Sequence, residues 1–259
     1  MRLLHVSHQR FVEFHDRSKT PEYAILSHAW IQPNHHEVSL QDLRDTDWTE
    51  AKQKQGWNKI AYTMNQAKKD GYEYVWIDTC CIDQRNPTEL GTSINSMFEW
   101  YRDAAVCYAY LDDVDQGSGR PANVAEAFSK TKWITRGWTL QELIAPSAVI
   151  FYDSNWQYLT SRRDSALVLS KVTQIDIEVL TTCDGHLRLD SFSIAKRMSW
   201  AAERETTRPE DRAYSLFGLF HITMLTQYGE GEQRAFFRLQ EEIVKFSADQ
   251  SIPVRLGCG

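Results

Sequence analysis

The stretch YEYVWIDTCCIDQRNPTELGTSINSMFEWYRDAAVCYAYL, residues 72–111, has the pattern of a strand, a helix and a second strand. Residues 72–77 and 105–111 are short runs of apolar and aromatic side chains, which are typical of buried strands. Between them, Asn86 and Pro87 provide an N-cap and a first-turn proline, so they predict the start of a helix. A helix that joins two buried strands is typical of parallel pairing in one sheet.

The same alternation continues on both sides of this stretch. Residues 23–26, YAIL, predict an earlier strand, and residues 57–67 carry apolar side chains at helical spacing. Residues 116–123, QGSGRPAN, predict a loop, and residues 148–152, AVIFY, predict a later strand after a helix that ends at Pro146. This β-α-β-α-β-α-β order predicts an α/β fold in which helices cover a parallel sheet.

The last third of the chain has a mainly helical pattern. Thr207 and Glu210 predict a capping box at the start of one helix. The side chains expected to face inward in that helix and in the last one are Ala213, Leu216, Phe217 and Phe220, then Phe236, Leu239, Ile243 and Val244. We expect one domain at 1–247, with an α/β core at 1–155 and a helical extension at 156–247.

Composition and charge argue against several classes of protein. The chain has 259 residues, 42% hydrophobic and 25% charged, as in an ordinary folded protein. A net charge of -6 without a basic stripe argues against a nucleic-acid partner. No apolar run is long enough to span a membrane, and no secretory signal is visible. Five irregularly spaced cysteines without a CxxC pair predict a reduced, cytoplasmic protein without a metal site.

Polar side chains follow the predicted strands at the points where they end. Ser27 and His28 end the first strand, Asp78 ends the second, and Asp112 and Asp113 end the third. In open parallel sheets, ligands bind outside the carboxyl ends of the strands. The sequence therefore predicts a ligand site at this edge.

Glu142 lies in an unusual setting within WITRGWTLQELIAP, residues 133–146. Its helix is apolar on the other face and leads directly into a buried strand, where an unpaired carboxylate is costly. Glu142 is therefore either a structural ion-pair partner of Arg136 or a group that faces the cleft. Trp138 precedes it by one turn, roughly 6 Å along the axis. The ring and the carboxylate together suit a flat cationic ligand.

These features also have structural interpretations. Trp138 can be a partly buried core residue, Asp78 a cap, and His28 a hydrogen-bonded histidine at the rim of the sheet. A solvated or ion-paired helix face is predicted at Arg204, Arg208 and Arg212. No serine-hydrolase elbow, P-loop or dinucleotide-binding glycine motif is present, and no second glutamate is placed to pair with Glu142 as in glycosidases.

Several blocks resemble the fungal heterokaryon-incompatibility (HET) domain, as found at the N-terminus of NLR-like (STAND) incompatibility proteins. The blocks are YAILSHAW (23–30), the strand–helix–strand stretch at 75–111, RGWTLQELIAP (136–146), and the segments at 198–220 and 228–247. The resemblance covers nearly the whole chain. It departs at Ile31, where a glycine is common, and at the ending IPVRLGCG, which indicates a truncation. Residues 248–259 are expected to form a frayed tail.

HET domains are remotely similar to TIR domains, and this similarity implies a TIR-like, flavodoxin-like parallel sheet flanked by helices. It also implies that Glu142 is the catalytic glutamate of an NAD+ hydrolase that triggers cell death in fungal non-self recognition. NAD+ is then the substrate, no cofactor is needed, and self-association and NLR-like regulatory domains are the expected partners. The substrate-binding candidates are Ser27, His28, Asp78, Asp83, Arg136 and Trp138.

Two other functions remain open from the sequence. One is a non-enzymatic signalling module that makes homotypic contacts, in which Glu142 is an ion-pair residue. The other is a sensor that binds NAD+ or ADP-ribose without turnover.

Overall fold

The chain folds around one mixed sheet in the computed structural model, which describes residues 1–44, 47–115, 117, 123–182 and 188–246. In this part of the chain, seven strands pair in the order β2-β1-β4-β3-β5-β6-β7. The strands are β1 Arg2–His5, β2 Arg10–Glu13, β3 Ala24–His28, β4 Tyr74–Trp76, β5 Val106–Tyr110, β6 Val149–Tyr152 and β7 Tyr158–Ser161.

The centre of the sheet is parallel, as predicted. Ala24 of β3 pairs with Val75 of β4 on one side and with Val106 of β5 on the other, and β5 pairs in parallel with β6. Every residue of β3 is buried, which explains its continuous apolar pattern. The α/β fold with a flavodoxin-like arrangement is therefore confirmed.

The edge strands are antiparallel and were not predicted. β2 pairs with β1, β1 pairs with β4, and β7 pairs with β6. Each of these edge strands has only four residues, and β2 is exposed at both ends. Strands this short carry too few alternating positions for a clear pattern. β7 also lies inside the predicted helical extension, so the sheet continues past residue 155.

Helices cover the sheet and form most of the extension. They are α1 Trp57–Lys69, α2 Asp78–Cys81, α3 Pro87–Asp103, α4 Val124–Lys130, α5 Thr139–Ile144, α6 Ala166–Thr173, α7 Ile177–Thr181, α8 Ile194–Ser199, α9 Asp211–Tyr214 and α10 Glu232–Phe246. The predicted start of α3 is confirmed, because the Asn86 side chain accepts hydrogen bonds from the amides of Thr88 and Glu89. Most of the predicted loop at 116–123, and the tail at 248–259, lie outside the described residues.

The predicted capping box at Thr207 and Glu210 is wrong. The Glu210 carboxylate accepts hydrogen bonds from the amides of Gly229 and Gly231, at 2.8 and 3.0 Å, and therefore stabilises a distant turn. The helix after it has one turn, α9, and a separate 3-10 turn follows at Phe217–Phe220. The four inward residues predicted here are nevertheless buried, because this broken segment still packs on the core.

The last helix, α10, follows its predicted pattern except at one position. Leu239 and Ile243 are buried as predicted. Val244 is 47% exposed, so the prediction that it faces inward is wrong. Val244 immediately follows Ile243, and a rotation of about 100° per residue carries it away from the buried face.

Candidate active site

A pocket opens at the carboxyl edge of the sheet, where the sequence predicts a ligand site. Its empty space, with the open mouth included, is about 900 Å³. Its walls come from the end of β3, from α2, from the beginning of α5 and from the helical extension. The lining side chains include His28, Trp30, Asp78, Trp138, Glu142 and Tyr228.

Glu142 lies at the floor of this pocket and is only 5% exposed. Its carboxyl group accepts a hydrogen bond from the Ser27 hydroxyl, which in turn accepts one from the indole N–H of Trp133 at 2.8 Å. Ser27 is fully buried and does not line the pocket. It therefore orients Glu142 from behind and has no direct route to a ligand.

The environment of Glu142 favours its neutral form. Burial raises its pKa to about 8, and the nearby Asp78 carboxylate acts in the same direction. Ser27, Arg136 and Tyr101 act in the opposite direction without cancelling the effect of burial. This environment therefore favours the protonated acid at neutral pH.

Arg136 is not the ion-pair partner of Glu142. Among the residues that the structure describes, it forms no ion pair within 4 Å, and its buried Nε atom has no hydrogen-bond partner. Its neighbours Thr135 and Gly137 are anchored by backbone hydrogen bonds to Glu205, both 2.7 Å. The structure thus leaves the Arg136 guanidinium in the pocket wall with unused hydrogen-bonding capacity.

Asp78 is the second acid of the pocket, and its environment favours the charged form. One carboxylate oxygen accepts from Nε2 of His28 at 2.8 Å, and the other accepts from the indole N–H of Trp30 at 2.6 Å. Burial alone would favour its neutral form, but His28, Trp30 and Lys59 outweigh burial and lower its pKa. Two carboxyl groups with oppositely shifted pKa values are typical of sites that perform chemistry.

A buried relay continues from His28 away from the pocket. Lys59 of α1 donates to Nδ1 of His28 at 2.7 Å and to the Glu37 carboxylate at 2.5 Å. This arrangement assigns the proton of His28 to Nε2, the nitrogen that faces Asp78. Lys59 and Glu37 are 3% and 5% exposed, so the relay is shielded from solvent. It holds His28 and Asp78 in a fixed orientation.

Trp138 links the core to the helical extension. Its indole N–H donates to the Asp211 carboxylate at 3.2 Å, and the Tyr228 hydroxyl donates to the other oxygen of Asp211 at 2.8 Å. All three residues line the pocket. Trp138 is partly buried, as its structural interpretation predicts, and it also forms a wall of the pocket.

Asp83 lies outside the pocket lining. Its carboxylate accepts hydrogen bonds from the side chains of Gln41 at 2.7 Å and Arg44 at 2.9 Å. It therefore connects the loop after α2 to a neighbouring segment of the fold. The pocket lining contains His28, Asp78, Arg136, Trp138 and Glu142, but neither Asp83 nor Ser27.

Arg204 is buried, so the predicted solvated or ion-paired helix face is wrong at this residue. It is 5% exposed and donates from Nε to the Trp200 carbonyl and from one terminal nitrogen to the Arg136 carbonyl and the Thr139 hydroxyl. Burial lowers its pKa to about 10, although Glu142 acts against this. Arg208 and Arg212 are exposed, as predicted.

Sequence reasoning also missed Lys59, Glu37, Asp211 and Tyr228. Lys59 has a weak local signal, since Thr63 one turn later extends the same buried face of α1. Asp211 and Tyr228 have none, because their proximity to Trp138 arises only when the extension packs on the core. Among the described residues, no group of His, Cys, Asp and Glu is arranged to hold a metal ion, and no helix is long and apolar enough to cross a membrane.

The fold and the pocket define an α/β domain with a buried carboxyl group at the carboxyl edge of its sheet. The family model described as heterokaryon incompatibility protein (HET) matches residues 23–124. The chain is 48% identical over 231 residues to vegetative incompatibility protein HET-E-1 of Podospora anserina. The chain therefore belongs to the heterokaryon-incompatibility family.

The two matches cover different parts of the proteins compared. The alignment with HET-E-1 covers 88% of this chain but 16% of that protein. The family match contains Ser27, His28, Asp78 and Asp83 and ends before Glu142. No solved structure matches the chain.

Proposed function

We propose that this chain is an NAD+ glycohydrolase and that Glu142 is its catalytic residue. The observation that carries the proposal is the position of Glu142 at the floor of a pocket, 5% exposed and oriented by Ser27. A structural ion pair would give this glutamate a cationic partner. Among the described residues, none lies within 4 Å of its carboxylate.

The chemistry of NAD+ suits a site with one such group. The bond between C1′ of the ribose and N1 of nicotinamide breaks, and its electron pair leaves with nicotinamide, which becomes neutral. Water supplies the oxygen that bonds to C1′, and one proton is released. The leaving group therefore needs no general acid, unlike the sugar oxygen in ordinary glycosidases.

Glu142 would stabilise the cationic character that develops on the ribose in the transition state. That role requires the carboxylate, whereas burial favours the neutral acid. The positively charged nicotinamide ring resolves this conflict, because a nearby cation favours ionisation of a carboxyl group. Binding of NAD+ should therefore release a proton from Glu142.

The other pocket residues fit supporting roles. The rings of Trp30 and Trp138 offer flat surfaces for a cationic heteroaromatic ring. Asp78, held ionised by His28 and Trp30, adds a second negative charge to the same pocket. Arg136 retains hydrogen-bonding capacity for the diphosphate of NAD+.

The biological role follows from the similarity to a vegetative incompatibility protein. We propose that NAD+ depletion in the cytoplasm is the cell-death signal in incompatibility. NLR-like domains and self-association would control it. Since the chain spans 16% of the length of HET-E-1, the remainder of such a protein offers room for regulatory domains.

The test is to incubate concentrated wild-type protein with NAD+ and to quantify nicotinamide and ADP-ribose by chromatography. Fusion to a self-assembling scaffold supplies the oligomeric form. We expect nicotinamide and ADP-ribose in equal amounts, and more of both from the oligomeric form. Binding of NAD+ without either product, in both forms, would instead support a sensor, and neither binding nor products would support a signalling module.

A further inference from the structure

A second pocket adjoins the first and shares part of its wall. Six residues line both pockets: Trp30, Gln32, Arg136, Glu205, Thr206 and Thr207. The two pockets therefore adjoin along a shared wall, and Arg136 is part of that wall. Glu142 lines the first pocket only.

The second pocket lies at the switch point of the sheet. From β3 the chain passes through α1 to β4 on one side, and later reaches β5 on the other side of β3. The pocket is lined by the loop after β3 and by Asp112 and Asp113, which follow β5. Crevices at such switch points are where doubly wound sheets bind nucleotides.

Two cations of this pocket form no close ion pair in the described part of the chain. Neither Lys132 nor Arg136 forms an ion pair within 4 Å there, and the buried Nε of Arg136 lacks any partner. A buried donor without a partner is costly, unless a ligand satisfies it. Both residues line the second pocket, so they offer two positive charges to an anionic group.

Asp112 and Asp113 differ in whether their carboxylates already accept hydrogen bonds from the protein. Asp113 accepts hydrogen bonds from the Thr131 hydroxyl and the Lys132 amide, both at 2.7 Å, and so stabilises the following 3-10 turn. Asp112 makes no side-chain hydrogen bond to another described residue. Its carboxylate lines the pocket and is available to accept hydrogen bonds from a ligand.

We propose that the second pocket binds the adenosine diphosphate half of NAD+ and that Asp112 makes the site selective for NAD+ over NADP+. This inference rests on the proposed hydrolysis of NAD+ in the first pocket. The diphosphate lies beside Arg136 and Lys132, and Asp112 accepts hydrogen bonds from the hydroxyls of the adenosine ribose. The additional 2′-phosphate of NADP+ would meet the Asp112 carboxylate and be repelled.

The test uses ADP-ribose and its 2′-phosphate as probes, because neither requires turnover. Their affinities are measured by calorimetry for wild type, Asp112→Asn and the control Asp190→Asn, an exposed acid that lines neither pocket. Wild type and control should prefer ADP-ribose by at least about tenfold, and Asp112→Asn should lose most of that preference. Arg136→Met should weaken both probes by a similar factor, since the diphosphate is common to them.

A preference near one in wild type, an unchanged preference in Asp112→Asn, or no binding of ADP-ribose would overturn the inference. Its failure is separable from that of the proposed hydrolysis. Nicotinamide release without discrimination between the probes would contradict the role of Asp112 and support the hydrolase. Discrimination without nicotinamide release would support the role of the second pocket and contradict the hydrolase.

Discussion

At the scale of single residues, the orientation of Glu142 depends on a chain of three side chains from three elements. Trp133 precedes α5, Ser27 belongs to β3, and Glu142 belongs to α5 itself. The hydroxyl of Ser27 uses its acceptor for Trp133 and its donor for Glu142. A ligand therefore meets a carboxyl group whose position is fixed before binding, which lowers the cost of organising the site.

Burial of Glu142 predicts a specific dependence of stability on pH. Its ordinary pKa is 4.5, and the fold raises it to about 8. Between these values the unfolded state releases a proton that the folded state retains, so the free energy of unfolding falls as pH rises. Glu142→Gln cannot titrate and should lose this contribution. Its stability relative to wild type should increase between pH 5 and pH 8 by a few kcal/mol, at about 1.4 kcal/mol per pKa unit.

Urea unfolding of both proteins across this range measures the difference. A constant difference between the two proteins would show that Glu142 does not titrate in this interval.

At the scale of elements, the relay shows how α1 supports the first pocket without lining it. Lys59 of α1 connects Glu37 to His28 at the end of β3, and His28 holds Asp78 at the start of α2. Three separate elements thus meet around one buried cation. Its charge is compensated locally, because an isolated buried ammonium group would be strongly unfavourable.

The relay predicts strong coupling between Lys59 and Glu37. Lys59→Met should lower the free energy of unfolding by about 3–5 kcal/mol, because it leaves the buried Glu37 carboxylate unpaired. The double variant Lys59→Met/Glu37→Gln should recover much of that loss, since neither buried charge remains. A double-mutant cycle by urea denaturation gives the coupling energy. Additive losses would contradict the proposed dependence of one charge on the other.

At the scale of the whole molecule, the helical extension completes the pocket by packing on the α/β core. Asp211 accepts hydrogen bonds from Trp138 and Tyr228, and the 3-10 turn at Phe217–Phe220 lies against α3. Gly218 permits this close approach, since a Cβ atom there would lie 2.1 Å from Cβ of Phe98. The wall of the pocket therefore depends on the packing of the helical extension against the α/β core.

Gly218→Ala should destabilise the protein by about 1–3 kcal/mol, because the added methyl group cannot fit against the Phe98 stem. Gly91→Ala is the matched control. It lies within α3, where a Cβ would approach only the movable Thr226 hydroxyl, and alanine favours the helix by about 1 kcal/mol. Thermal unfolding should separate the two variants. Equal melting temperatures would mean that the extension does not depend on this contact.

The sequence predicted the central architecture because buried parallel strands and their helices carry long, regular patterns. Such patterns predicted β3, β5, α1 and α3. They did not predict the short edge strands or the broken segment around α9, because four-residue elements depend on tertiary packing. At the site, the sequence indicated Glu142, Asp78 and His28 through their positions at strand ends and beside apolar runs.

The remaining parts of the site required the three-dimensional structure. Lys59 and Asp211 reach the site from elements that are distant in sequence, and no local pattern predicts the contact. The sequence also left both alternatives for Arg136, since a cation six residues before Glu142 suits either role. The structure leaves it unpaired in the described part of the chain.

Nicotinamide release at pH 8 by oligomerised wild type and Glu142→Gln at equal concentration tests the catalytic role of Glu142 most directly. Circular dichroism and urea unfolding first establish that both are folded. Glutamine preserves the shape and the hydrogen bond from Ser27 but cannot carry the negative charge. We predict that release by the variant falls by at least about a hundredfold, the scale of losing a group that stabilises transition-state charge. Comparable release by the two folded proteins would contradict it.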